Sequence, residues 1–263
     1  MADREKQAAL FDAAAAAYDR FRPGYPEQLI DDMLRLASVT AASRLLEVGC
    51  GTGKLTVQIA SRGNSIECVD PGANLLAVAR KNCCAWPKVT FLHGKFEEVA
   101  LPPNHYDLIY SAQAFHWVDQ NLRWSLSKRY LVPSGALAII HNYSPLPRQG
   151  PGAELTARLQ QITAGAMQPT DHEASIRQWE QEMERTALFS ELHVRRYGWT
   201  RPFTAEEYVG LFTTFSDFLS LTADQQEVVT ATIREVITAN GGILHHQYES
   251  VLFQGVLGQH EET

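Results

Sequence analysis

The segment Leu45–Leu55, LLEVGCGTGKL, holds the residue types most able to do chemistry in this chain. Gly49, Gly51 and Gly53 stand directly after the short apolar run Arg44–Val48 and before a helical pattern of Leu55, Val57, Ile59 and Ala60. Glycines permit a tight turn and leave no side chains between a ligand and the backbone. A helix start beyond them offers N–H groups and partial positive charge to a carboxylate or phosphate. The spacing is neither the G-x-G-x-x-G of dinucleotide sites nor the phosphate loop G-x-x-x-x-G-K-[ST]. Glu47, two residues before Gly49, suits a ligand with an ammonium or cationic centre better than a pyrophosphate. Asp70 ends the next apolar run, about 20 residues after the glycines, where a carboxylate can accept both hydroxyls of an adenosine ribose. Its competing role is to cap the helix that follows Pro71.

These residues need strands and helices to hold them. Strand candidates at Arg44–Val48, Ser65–Val69, Val89–His93, Tyr106–Ala112 and Ala136–His141 alternate with helical patterns. Pro133-Ser134-Gly135 supplies the turn before the fifth strand. Such alternation predicts βαβ units and a mostly parallel sheet, and continuous apolar strands predict cover on both faces. Helices are expected over 5–20 and from Glu27 to Ala37, with a break at the two prolines and glycine between them. After a linker at 144–152, helical patterns cover 153–166, 172–187 and 204–240. His193–Trp199 and Tyr248–Leu257 read as the last strands, forming an antiparallel edge hairpin with a helical cap interposed. The chain thus divides into an N-terminal helical segment (1–40), a ligand-binding α/β core (41–143) and a C-terminal part (144–263) with helical insertions at 144–187 and 204–240.

Composition narrows the class. With 23 Lys+Arg against 30 Asp+Glu, the net charge of −7 argues against a nucleic-acid partner. Cys50, Cys68, Cys83 and Cys84 lack metal or disulfide spacing and read as small buried hydrophobes. His245 and His246 lack further ligands nearby, so no metal is expected. Neither a signal-peptide pattern nor a long apolar stretch is present, which points to a reduced, cytoplasmic protein not bound to a membrane.

Taken together, LLEVGCGTGKL, IECVDPG, FLHGKFEEVALPPNHYDLIYSAQAFHWVD and RYLVPSGALAI resemble the class I S-adenosylmethionine-dependent methyltransferases. The resemblance is closest to the branch of small-molecule enzymes like trans-aconitate methyltransferase. It covers residues 11–142, with a weaker echo in HHQYESVLF. It implies a Rossmann-like, seven-stranded, mostly parallel sheet with helices on both faces, and S-adenosylmethionine as methyl donor with S-adenosylhomocysteine as product. On these positions it implies Gly49, Cys50, Gly51 and Gly53 against the methionine part of the donor, Glu47 beneath its amino-acid end, and Asp70 with Pro71 at the ribose. Lys95, Phe96 and Glu97 fall on the adenine-side loop, where Lys95 replaces an acidic residue common in the family. Ser111, Ala112 and Gln113 would face the methionine end, and Tyr18 and Arg22 would close over its carboxylate.

Methyl transfer from a sulfonium is an in-line displacement, so alignment and exclusion of water carry most of the catalysis. A base is needed only when the acceptor must lose a proton. His116, after the fourth strand, is the candidate catalytic residue, being of the one side-chain type whose reference pKa lies near neutrality. A hydrogen-bonded structural histidine is the alternative. Trp117, His141 and Tyr143 at the same rim, and Tyr208 and Phe212 in the 204–240 insertion, are candidate acceptor contacts. An aromatic stripe at helical spacing is nonetheless more often core than ligand box. The expected partner is a small-molecule acceptor with an O, C or N nucleophile, and the protein a monomer or homodimer. The other readings are an NAD-dependent oxidoreductase, a non-catalytic adenosylmethionine-binding protein and an RNA methyltransferase.

Overall fold

A computed structural model describes residue 12 and residues 14–163 and 172–258. The predicted first helix before residue 12, and the end of the 153–166 helix, lie outside the described residues. The first half of the chain contains α1 (Ala15–Phe21), α2 (Glu27–Leu36), β1 (Arg44–Val48), α3 (Lys54–Ala60), β2 (Ser65–Asp70), α4 (Ala73–Asn82), β3 (Val89–His93) and β4 (Tyr106–Ala112). A 3₁₀ turn at Phe115–Trp117 precedes α5 (Arg123–Tyr130) and β5 (Leu131–Tyr143). The rest comprises α6 (Gly150–Ile162), α7 (His172–Arg185), β6 (Phe189–Thr204), α8 (Ala205–Phe212), α9 (Ser216–Leu219), α10 (Ala223–Ala239) and β7 (Ile243–Leu257).

The seven strands form one sheet in the order β3-β2-β1-β4-β5-β7-β6. The four pairings from β3 to β5 are parallel, as the predicted βαβ units require. The order reverses direction at β1/β4, and in open α/β sheets ligands lie beyond the carboxyl ends of the strands at such a switch point. β6 and β7 run antiparallel: Phe189 lies over Gly255 and Ser190 donates to the Val256 carbonyl, whereas further along β6 Trp199 stacks on the earlier residue Tyr248.

The chain divides into two compact units. One comprises Gly24–Asn142, Glu173–Tyr197 and Ser250–Thr263, and is called the sheet unit below. Its core gathers Leu45, Ile66, Cys68, Leu108, Tyr110, Ala138 and Ile140 from the strands with Leu55, Ile59 and Leu76 from the helices. Helix α2 joins this core through Leu29, Ile30 and Met33. The expected segment 1–40 is therefore divided at Pro23, because the apolar face of α2 is buried in the sheet unit.

The other unit comprises Met1–Pro23, Tyr143–His172 and Gly198–Glu249, called the helical unit. Its core holds Leu155, Leu159, Phe203, Tyr208, Leu211, Phe212, Phe218, Val229, Ile233 and Leu244. The aromatic stripe of 204–240 is thus used in packing. Two capping boxes, Thr204 with Glu207 and Thr222 with Gln225, start α8 and α10. Each supplies partners for N–H groups that the first turn of a helix cannot satisfy internally.

Three expected boundaries move. Helix α5 ends at Tyr130 and Leu131 is already paired with Tyr106, so Pro133-Ser134-Gly135 is a bulge inside β5 rather than a turn before it. A bulge is where a strand tolerates proline, which has no N–H to give the ladder. Strands β6 and β7 are also longer than the predicted 193–199 and 248–257. Among the described residues, no helix is long and apolar enough to cross a membrane.

Candidate functional site

The glycine turn sits between β1 and α3, tied to β2 by backbone bonds. The Gly49 and Cys50 amides donate to the Val69 carbonyl at 2.8 and 3.4 Å, and the Gly53 amide to the Cys50 carbonyl at 2.9 Å. These bonds spend the Gly49, Cys50 and Gly53 amides on the protein. What the turn leaves open is space at Gly51. A Cβ built there would meet no atom within 4 Å, at a φ of +55°. At Gly49, by contrast, a Cβ would fall 2.2 Å from that of Ala114. Gly51 therefore borders a cradle that a side chain would fill, whereas Gly49 is required by the approach of the chain after β4.

Asp70 is bonded to the Gly51 backbone at this cradle and is only 5 % exposed. Its Oδ2 accepts the Gly51 amide and its Oδ1 the Gly72 amide, both at 2.8 Å. One carboxylate thus braces the glycine turn and the turn before α4 together. A carboxylate has about four lone-pair sites, so both oxygens retain capacity to accept ribose hydroxyls. The helix-bracing and ligand-binding readings of Asp70 are compatible. Pro71 is exposed, and its carbonyl pairs with His93 Nε2 at 2.9 Å.

Glu47 is 2 % exposed, and its Oε2 accepts from Thr56 Oγ1 at 2.6 Å and Tyr110 OH at 3.0 Å. Burial raises its carboxyl from 4.5 to about 7, against the lowering effect of those two bonds. Glu47 thus supports the strand beneath the turn through Thr56 and Tyr110. Cys50 is also buried, its thiol pushed well up by the neighbouring Cys68 thiol and by burial, leaving its backbone at the turn. All four cysteines are free.

On the adenine-side loop, Gly94 donates to the Asp70 carbonyl at 3.1 Å. Phe96 is buried with its ring edge-on to Tyr130, so only its backbone can serve a ligand. Glu97 accepts the Asp119 amide at 2.7 Å, and exposed Lys95 pairs with Glu98 at 3.4 Å.

At the end of β4, Ser111 Oγ donates to the Val48 carbonyl at 2.7 Å, and half-buried Ala112 follows. Gln113 takes a φ of +59°, uncommon for a residue with a side chain. His116 lies in the 3₁₀ turn, its ring centroid 4.9 Å from Trp117 and 6.0 Å from His141. His141 is buried, and its ring lies 5.2 Å from that of Trp179. Burial, reinforced by His116, pulls its pKa down to about 3, so the ring is neutral. Trp179, on the amphipathic helix α7, was not foreseen at this site; the three- and four-residue spacing of Ile176, Trp179 and Met183 marks it as inward-facing but not toward a histidine.

The remaining candidates lie in the helical unit. Arg22 donates to the Thr214 hydroxyl and carbonyl, each at 2.8 Å, and its guanidinium lies 4.3 Å over the Phe215 ring and 5.3 Å over that of Tyr18. Tyr143 stacks near His172 at 5.0 Å. Tyr208 OH pairs with His246 Nδ1 at 3.0 Å, and both Tyr208 and Phe212 are buried in that unit's core. Both rings pack there as an aromatic stripe at helical spacing does in a core. Among the described residues, no group of three or more His, Cys, Asp or Glu side chains could hold a metal ion.

Comparison with known proteins places methyltransferases among the relatives of this chain. Residues 46–139 match the model of the methyltransferase domain family. An uncharacterized methyltransferase of Mycobacterium tuberculosis is 40% identical over 132 residues, covering 50% of this chain and 51% of that protein. The chain thus spans about half the length of the mycobacterial relatives that it matches. An uncharacterized methyltransferase of Schizosaccharomyces pombe is 28% identical across 86% of each chain. Among solved structures, a protein of Anaeromyxobacter dehalogenans provisionally assigned as a type II methyltransferase has a TM-score of 0.71 at 22% identity. It covers 91% of this chain and 100% of its own. Phosphoethanolamine N-methyltransferase 2 of Haemonchus contortus, bound to S-adenosyl-L-methionine, has a TM-score of 0.56 at 18% identity, covering 94% of this chain and 57% of its own. Both structural likenesses are of fold.

Proposed function

We propose that this chain is a class I S-adenosylmethionine-dependent methyltransferase that transfers a methyl group from S-adenosylmethionine to an O, C or N nucleophile of a small molecule, a reading supported by the methyltransferase-domain match and the mycobacterial relatives. The observation that carries the cofactor is the cradle at Gly51 faced by the Asp70 carboxylate. When bound, the cofactor supplies an electrophilic methyl on a sulfonium. The residues of the chain do the rest. Gly51 admits the methionine part to the backbone while Gly49 and Gly53 let the turn pack closely on Ala114 and Ala79, and Asp70 accepts the ribose hydroxyls. The backbone at Lys95, Phe96 and Glu97 borders the adenine side, and Ser111, Ala112 and Gln113 the methionine end.

His116 is the group we assign to the acceptor's proton. It is half-buried at the rim beyond β4, beside Trp117. A nucleophile that loses its proton to His116 presents a lone pair for in-line attack, and apolar neighbours such as Trp117 limit water there. The likeness to the trans-aconitate branch leaves a carboxylate among the acceptors to screen, since fold alone does not set a substrate. A cytoplasmic location accords with four free cysteines.

Calorimetric titration with S-adenosylmethionine and S-adenosylhomocysteine tests the cofactor directly. Micromolar binding is expected, weakened about 10- to 100-fold in Asp70→Ala, the range for a lost hydrogen bond to a charged group. Heat with NAD and none with either adenosyl compound would bring the oxidoreductase reading forward. Binding without turnover across an acceptor library would favour a non-catalytic binding protein.

A further inference from the structure

Gln113 is held unusually firmly for a residue just past a strand. Its amide donates to the Ile140 carbonyl at 2.9 Å. Its side-chain Nε2 donates to the Asn142 carbonyl at 2.8 Å, which fixes the orientation of the carboxamide. The Oε1 then faces His141 Nδ1 at 3.2 Å. An amide oxygen only accepts, so the neutral His141 ring must carry its proton on Nδ1. Asn142 is itself anchored, giving its Nδ2 to the Gly24 carbonyl at 3.2 Å and accepting Ser250 Oγ. These bonds hold Gln113 at a φ of +59°, where backbone strain persists only if the surroundings over-determine it. The next residue is Ala114, whose methyl occupies the volume that a Cβ on Gly49 would need.

We infer that Gln113 is a positioning residue, which uses the Asn142 carbonyl and the Nδ1 proton of His141 to press Ala114 against Gly49 and so set the glycine turn for the cofactor. The inference rests on the adenosylmethionine reading and deepens it. It links the ends of β4 and β5 to the turn after β1 through one strained residue. By reciprocity, whatever orders the turn also acts on the His141 ring.

The test is the pair Gln113→Gly and Gln113→Asn in the full chain, titrated with S-adenosylhomocysteine and followed by ¹⁵N NMR of the imidazoles. Glycine removes the strain and both side-chain tethers at once while keeping the backbone bond to Ile140, so the relief of strain offsets the lost bonds in folding. If the tethers position the turn, its affinity falls about tenfold, within the usual range of coupling between sites. Asparagine tolerates the same φ but is one methylene too short to reach both partners, and should fall with it. In the wild-type protein the His141 Nδ1 signal should report a protonated nitrogen and shift when S-adenosylhomocysteine is added. In Gln113→Gly that response should be lost. Wild-type affinity in Gln113→Gly, or a His141 ring protonated on Nε2, would overturn this inference alone. Absence of binding to the wild-type protein would overturn the cofactor reading and this inference with it.

Discussion

At the residue scale, the two glycines of the turn separate binding from stability. Gly51→Ala places a methyl in open space at positive φ, so folding should lose only about 1 kcal/mol while S-adenosylhomocysteine binding is lost by titration. Gly49→Ala drives a methyl into Ala114 and should lower the melting temperature markedly, whether or not ligand is present. Equal effects of the two substitutions on binding and stability would remove the cradle at Gly51. Glu47 makes a prediction about pH. Burial raises its carboxyl from 4.5 to about 7, so the folded protein keeps a proton that the unfolded chain has released. Its contribution to stability is whole below pH 4.5 and is lost as pH rises through 7. Glu47→Gln keeps an oxygen for Thr56 and Tyr110 but cannot ionise. Its stability relative to wild type should therefore grow between those pH values by on the order of 3 kcal/mol, read from urea midpoints. Parallel pH profiles for the two proteins would show that Glu47 ionises freely.

At the element scale, the helices depend on local devices that a short sequence window contains. Thr222 accepts the Gln225 amide and Gln225 Oε1 accepts the Thr222 amide, so α10 starts in a closed capping box. Thr222→Ala should cost about 1 kcal/mol in denaturant unfolding, and Thr222→Ser little. The tie between α5 and α7 is of another kind. Arg123 is nearly fully buried, bonds Glu182, and lies 4.8 Å over the Trp179 ring. Removing Glu182 leaves that guanidinium in apolar surroundings, and Glu182→Ala should destabilise by about 2 kcal/mol, reduced from fully buried pairs because Glu182 is partly exposed. The two capping boxes each lie within four consecutive residues. The Arg123–Glu182 pairing was not legible in the chain, because the partners are 59 positions apart and no local rule selects one acid among many.

At the scale of the whole molecule, each of the two units has its own apolar core. Hydrogen exchange with and without S-adenosylhomocysteine assigns the ligand's footprint among them. Added protection is expected at residues 49–53, 70–72 and 94–97, since ligand bound only to the native state suppresses opening. Residues 15–22 decide the expectation for Tyr18 and Arg22. Slower exchange there on ligand addition supports their part in binding, and unchanged exchange assigns Arg22 wholly to Thr214 and Phe215.

By itself the sequence determined the α/β sheet, the glycine turn after β1 and the acidic end of β2. Those features are written in local periodicity and in glycine, which act within a few residues of one another. It also located Gln113, His116 and His141 at strand ends, because runs such as YDLIYSA end where apolar character stops. Only the tertiary structure decided what these side chains touch. It buried Glu47 under Thr56 and Tyr110, turned Tyr208 and Phe212 into core, and moved Pro133-Ser134-Gly135 into a bulge. It also set Gln113 between Asn142 and His141 with Ala114 on Gly49. The reason is physical: a hydrogen bond or a van der Waals contact depends on distances between residues far apart in the chain, and those distances exist only once the strands have paired.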